Sequence, residues 1–132
     1  MGYVALLLVF SLFVVACGDS ADAADPERFC EILAELEPLD RTGLSPDENV
    51  EVVNEEDALL AEGLEVAPEE IKADAQVVAD GVVASNELML EAGGDFTQIP
   101  QADMDAVASE YFTDEFETAA ENVATWRAAS CS

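Results

Sequence analysis

Histidine is absent from the 132-residue chain, and four Lys or Arg stand against thirty Asp or Glu. The first absence removes Ser-His and Cys-His nucleophile pairs from consideration, along with the commonest metal ligand. The second removes nucleic acid as a partner: phosphate backbones are held by clustered cations, and a net charge of −26 repels them. Anionic lipid headgroups are repelled by the same charge. Aromatic residues are few, with a single Trp, and none are spaced as a row for stacking on sugars. The chain also lacks a Gly-rich phosphate loop, an internal repeat, and any run of alternating apolar and polar residues long enough for a strand. What is present is apolar bulk. Half the residues are hydrophobic, which excludes disorder by composition and leaves enough for a modest core.

The fifteen residues from Gly2 to Ala16 carry no charged side chain. As a helix they would reach roughly 22 Å, short of the roughly 30 Å of a bilayer core, which suits the apolar region of a cleaved signal. The run ends in Val14-Val15-Ala16-Cys17-Gly18, a string that resembles the lipobox of bacterial lipoprotein precursors. The resemblance implies that the Cys17 thiol is alkylated by a diacylglycerol and that a signal peptidase cuts between Ala16 and Cys17. It departs from the pattern in one respect, since Met1-Gly2-Tyr3 offers no Lys or Arg. On this reading residues 1–16 are a lipoprotein signal peptide, 17–24 an acidic flexible tether, and 25–132 a helical domain. The expected location is the outer face of the cell membrane, with lipid on Cys17 as the only membrane contact.

With Cys17 assigned to lipid by that resemblance, Cys30 and Cys131 remain as an even pair in an exported, oxidising setting, where a disulfide is expected. Closing a loop of about 100 residues would remove something near 4.7 kcal/mol of unfolded-state entropy in the chain model. Two buried free thiols are the bland alternative. A metal site has neither His nor a third Cys to draw on.

Helix signals organise the rest. Asp25-Pro26 places an N-cap before a proline at the first helical position, and Phe29, Ile32, Leu33 and Leu36 follow as a core stripe, with Leu39 beyond an end near Pro38. Ser45-Pro46-Asp47-Glu48 is a capping box. The helix it opens carries Val50, Val53, Leu60 and Leu64 on one face, interrupted by Asp57, and Gly63 marks the expected fraying point. Ala67-Pro68-Glu69-Glu70 opens a third helix, in which Ile71, Ala75, Val78, Val82 and Met89 keep a seven-residue rhythm until Gly93-Gly94 stop it. Gly81 inside it counts as a mild weakness. Phe96 and Ile99 are expected to plug one end of the core. A last helical region from about Gln101 to Ala129, with a break near Thr113, sets Phe112, Phe116, Ala119, Val123 and Trp126 on one face. The fold class is all-α, and four antiparallel helices joined by short loops would bring Cys30 beside Cys131. The layout of Phe29-Cys30, Val66 to Ile71 and Val123 to Cys131 is also similar to small helical secreted or lipid-anchored proteins of actinobacteria, a resemblance that implies the helical fold and the terminal disulfide but no activity.

Among thirty carboxylates, two close in sequence carry no catalytic information. Three acidic clusters stand out: Asp19, Asp22 and Asp25; Glu55, Glu56 and Asp57; Asp114, Glu115 and Glu117. None has the glycine-turned loop that calcium needs, so they read as solvated faces and no metal or cofactor is expected. Asp57 is the exception in position, and Arg28, Arg41, Lys72 and Arg127 are the only cations that could pair with it. The functional expectation is a non-enzymatic, lipid-anchored interaction or accessory module of the cell envelope, with a protein partner of basic surface as the one that suits its charge. The alternative is a carrier of a small molecule or cation, for which a cleft lined by Trp126, Tyr111 and Phe112 would speak. A hydrolase built on convergent carboxylates ranks behind both.

The acidic excess predicts adaptation to a salty medium. Carboxylates feel one another over about 10 Å at about 0.1 M salt and over only about 3 Å at about 1 M, so self-repulsion falls as salt rises. The melting temperature followed by circular dichroism is therefore expected to climb between those two sodium chloride concentrations. A midpoint that stays put refutes the adaptation.

Overall fold

Helix α1 (Pro26–Leu36) starts where its cap dictates: the Asp25 carboxylate accepts from the Arg28 amide at 3.1 Å, and the Asp25 amide donates to the Val66 carbonyl at 2.9 Å. The second bond ties the first helix to the end of the next. The computed structural model describes residues 24–36 and 41–132, so the signal segment with Ala16 and Cys17, the tether except Ala24, and Pro38 and Leu39 lie outside the described residues. Four further helices follow: α2 (Pro46–Val66), α3 (Glu69–Glu91), α4 (Gln101–Tyr111) and α5 (Asp114–Ser130). A short 3-10 turn, Phe96–Gln98, links α3 to α4. No strand occurs among the described residues, which are all-helical in class.

The four-helix expectation becomes five because the last helical region is two helices, parted at Phe112 and Thr113 where the break was expected. Both pack on α3, which also holds α2, while α1 lies on α2 and touches α5. A helix with neighbours on several sides does not keep a single apolar stripe. Ile71, Ala75 and Met89 are buried as the heptad rhythm requires, whereas Val78 and Val82 are only half-buried. Small residues off that stripe, Ala79, Gly81 and Ala84, are buried instead.

Gly63 does not mark the end of its helix: α2 runs on to Val66, and Gly63 is buried where a Cβ would stand 3.4 Å from Ile32 Cγ2 of α1. At Gly81 a Cβ would lie 2.7 Å from Phe116 Cε2 of α5. Gly81 is therefore a site of close helix approach, whereas Gly63 makes an ordinary buried contact. Gly93 and Gly94 do terminate α3, at φ +62° and +82°, with the Gly94 amide donating to the Met89 carbonyl at 2.9 Å. Gly94 also sits so close to the start of α2 that a Cβ would collide with the Pro46 carbonyl. The Asn49 amide of α2 donates to the Gly94 carbonyl at 2.9 Å, closing that joint. Opposite, the capping box of α2 forms as its sequence predicts, the Ser45 amide donating to Glu48 at 2.8 Å and the Glu48 amide to Ser45 Oγ at 3.4 Å.

The core divides along α3. At its start Phe29, Ala67, Ile71 and Ala75 are buried beneath Leu33, Val123 and Trp126, with Phe29 and Trp126 edge to face at 5.4 Å. Beside them Cys30 and Cys131 are joined in a disulfide across 101 residues, Cα to Cα 5.5 Å. At its far end Val53, Met89 and Ile99 form the second cluster. Ile99 plugs that end as expected, but Phe96 does not and is 60% exposed.

Gly81→Ala and Gly94→Ala are the sharpest tests of this packing. Alanine would gain up to about 1 kcal/mol of helix propensity at Gly81, but displacing a packed ring typically costs about 1 to 3 kcal/mol. Both variants are expected to melt below the parent in a thermal scan, Gly94→Ala more severely because φ and the Pro46 carbonyl oppose it together. A stabilised Gly81→Ala protein would show that α5 does not approach α3 so closely.

Candidate functional site

Asn86 is 1% exposed, the one fully buried polar side chain among the described residues. It sits on α3 at the register of the core, three residues before Met89, and faces the place where Asp57 interrupts the apolar face of α2. Its amide donates to Asp57 Oδ1 at 2.7 Å and to Glu56 Oε2 at 2.9 Å, and its carbonyl accepts from Arg41 Nη2 at 3.0 Å. Arg41 closes the set by an ion pair with Glu56. Asp57 therefore does have a partner, and it is an amide; of the four cations, the one nearby pairs with its neighbour. The Asn86 amide bridges the two carboxylates while the guanidinium meets its carbonyl and Glu56, so the polar atoms of the group find partners, the condition under which burial of such atoms is tolerated. The cluster expected as the solvated face Glu55, Glu56 and Asp57 is thus split. Glu55 is exposed while the other two are half-buried.

Arg41 also borders a cleft of about 230 Å³ between the end of α3, the 3-10 turn and α4. Met89 and Ile99 of the far core cluster line it together with Met104 and Val107, and Phe96 and Phe112 complete it. Those two rings, 60% and 43% exposed, are the large apolar side chains most open to solvent among the described residues. Phe112 is held edge-on by Phe116 at 4.7 Å. The turn that carries Phe96 is fixed by Asp95, whose carboxylate accepts from the Thr97 hydroxyl at 2.6 Å and the Thr97 amide at 3.0 Å. Those bonds, the hydroxyl's first, hold the Asp95 carboxyl below its ordinary range. It stays ionised at the edge of the cleft, and the bonds that favour its charge fade only as pH falls through that lowered value.

The aromatic trio expected to share a cleft is not brought together. Trp126 belongs to the opposite end, packed on Phe29 with its indole N–H donating to Glu70 at 3.3 Å, and the Tyr111 Cβ lies against Gly81. Only Phe112 reaches the cleft. Of the acidic clusters, Asp114, Glu115 and Glu117 are exposed in the first turn of α5, where the helix dipole favours them. Asp25 caps α1, and Asp19 and Asp22 lie outside the described residues. Among the described residues no group of three or more His, Cys, Asp or Glu is placed to hold a metal ion. At the other end Arg28 gathers Glu31, Glu35 and Glu62, its bond to Glu62 at 2.6 Å holding that carboxyl below its usual range. A shallow groove of about 840 Å³ runs beside the disulfide between α1 and α5, and an apolar pocket of about 70 Å³ lies between Phe29, Leu60 and Val78.

No family model matches the chain, and no curated protein or solved structure matches it significantly. The site is therefore read from its own chemistry. Asn86 is the residue that sequence reasoning passed over, although an amide at core spacing opposite a carboxylate at core spacing was a usable signal: two interruptions of apolar faces that answer each other.

Replacing Asn86 by Leu removes the donor that Asp57 has from α3 and leaves Glu56 with Arg41 alone, and an unsatisfied group withdrawn from water costs about 1 to 3 kcal/mol. The variant is expected to lose about that much in urea unfolding, and adding Asp57→Leu is expected to recover part of it, because removing both partners costs less than removing one. A single variant as stable as the parent would mean that the cluster contributes nothing.

Proposed function

We propose that this chain is a bacterial lipoprotein precursor whose mature domain is a non-enzymatic interaction or accessory module on the outer face of the cell membrane. The observation that carries the reading is Val14-Val15-Ala16-Cys17 at the end of an uncharged apolar run. The Cys30–Cys131 bond supports it independently, since such bonds persist in oxidising compartments. No described helix is long and apolar enough to cross a membrane, and a surface of this charge is repelled by anionic headgroups, so attachment falls to acyl chains on Cys17. At about 0.8 kcal/mol per buried methylene, more than one such chain anchors durably. Residues 18–24 would then be a tether of at most about 25 Å. We read α1, α2, α3 and α5 as a four-helix antiparallel bundle that carries α4 on its flank, an arrangement favoured by the contacts of α3 with α2 and α5 and of α1 with both α2 and α5.

A carrier of small molecules is the second reading, favoured by the cleft beside Phe112. A rise in melting temperature with an added apolar compound would speak for it. The lack of a histidine and the engagement of the half-buried carboxylates Glu56 and Asp57 in a satisfied network argue for binding over catalysis.

Intact-mass measurement of protein extracted from bacterial membranes tests the anchoring. The expected species begins at Cys17 and carries a diacylglycerol, and Cys17→Ala is expected to leave the chain uncut or unattached. Full-length, unlipidated protein in the cytosol, or lipid labelling that survives the substitution, would overturn the proposal.

A further inference from the structure

We infer that the cleft between Phe96 and Phe112 is a docking surface for a basic amphipathic segment of a protein partner, one apolar side chain seated between the rings and flanking Lys or Arg meeting the carboxylates around it. The inference rests on the reading of the domain as an interaction module, and is independent of how the domain is anchored.

Three properties of the cleft point to this occupant. It is rooted in packed structure, because Met89 and Ile99 at its base are themselves buried core residues, so the seat is preformed. Its size of about 230 Å³ falls below the roughly 300 to 1,000 Å³ usual for sites that envelop a small molecule, yet exceeds the roughly 150 Å³ that accepts a benzene ring. That range suits a single Leu or Phe side chain offered from outside. Third, its surroundings have one sign of charge. No Lys or Arg occurs between Lys72 and Arg127, whereas Glu87, Glu91, Asp103, Asp105 and Glu110 are exposed on the two helices that form the cleft. Arg41, the one cation at the cleft, is already paired with Glu56. An apolar anchor framed by cations is thus the complement of an apolar seat framed by carboxylates, and a helix laid in a groove presents both at spacings i, i+3, i+4 and i+7. A second copy of the chain is the wrong complement, since it would bring like charges together.

The test uses the full chain solubilised in detergent and three synthetic helical peptides of roughly fourteen residues, about four turns. The first has Leu and Phe on one face and Lys elsewhere, the second has the same composition scrambled so that no face forms, and the third keeps the face with Glu in place of Lys. Fluorescence anisotropy at about 0.15 M salt, where surface attraction reaches only about 8 Å, separates seating from general charge. The first peptide is expected to bind saturably and to shift the amide resonances of the 3-10 turn and α4. The paired substitution Phe96→Ser with Phe112→Ser is expected to weaken it about tenfold or more, a loss of about 1.4 kcal/mol, while leaving the scrambled peptide unaffected. Both rings are exposed, so circular dichroism should show the variant folded. Equal binding of the first peptide to parent and variant would reduce the effect to polyanion attraction and overturn the inference. Equal binding of the Glu peptide would overturn it as well, as would dimerisation in sedimentation that the substitution abolishes. None of these outcomes bears on the mass of the anchored species, so failure here is distinct from failure of the lipoprotein reading.

Discussion

The Phe116 ring of α5 lies where a side chain at position 81 of α3 would have to stand, and the rest of the packing is arranged around approaches of that kind. Close helix contact is what a helix whose buried face is made largely of small residues has to offer. Most of the buried apolar positions on α3 are alanines, and among the described residues Phe29, Ile32, Val53 and Ile71 are the larger apolar side chains most withdrawn from water. Dispersion between near backbones substitutes for the area that larger side chains would bury, because interiors gain from density as well as from dehydration. A helix gripped in this manner serves as the axis on which α2, α4 and α5 are placed. The cleft exists because α4 meets that axis at its far end and leaves the rings at its two ends uncovered.

Against the packing stands the charge. Thirty carboxylates with four cations repel one another at every separation short of the screening length. One cation, Arg28, serves three carboxylates at once, Glu31, Glu35 and Glu62, but exposed pairs of this type stabilise weakly. The cross-link between Cys30 and Cys131 acts on the other side of the equilibrium, by limiting the expanded states that repulsion favours. It also closes the one end of α3 where α1 and α5 meet. At the opposite end a satisfied polar cluster, Arg41 with Glu56, Asp57 and Asn86, performs the corresponding task between α2, α3 and the loop before α2.

Local signals were legible where the chemistry is local. Asp25-Pro26, Ser45 to Glu48, Ala67 to Glu70 and Gly93-Gly94 mark helix ends by bonds that a few neighbouring residues make among themselves, and the helices begin and stop there. The readings that failed depended on what lies across from a residue. Gly81 looks like a flaw when only its own helix is considered, and is needed once the Phe116 ring of α5 is in place; Gly63 looks like a fraying point, and turns out to be a buried contact with α1. Phe96 and Ile99 were equivalent as plugs by hydrophobicity, yet the 3-10 turn set by Asp95 buries one and presents the other. Trp126, Tyr111 and Phe112 were grouped as aromatics that could line one cleft, although Trp126 packs on Phe29 at the start of α3 and only Phe112 reaches the cleft at its far end.

Sequence by itself determined the helical class, the starts of the helices, the strongly acidic charge, and the apolar run ending at Cys17 on which the anchoring proposal stands. Each follows from composition or from interactions within a few residues, which survive translation into any tertiary setting. Tertiary structure alone decided that both halves of the last helical region would pack on α3, that an asparagine would become the hub of a half-buried polar cluster, and that two phenylalanines would frame an apolar seat within an acidic surface. Those outcomes depend on which helix faces which. Such pairings are chosen by the summed fit of many small side chains, and no single segment of the chain contains them.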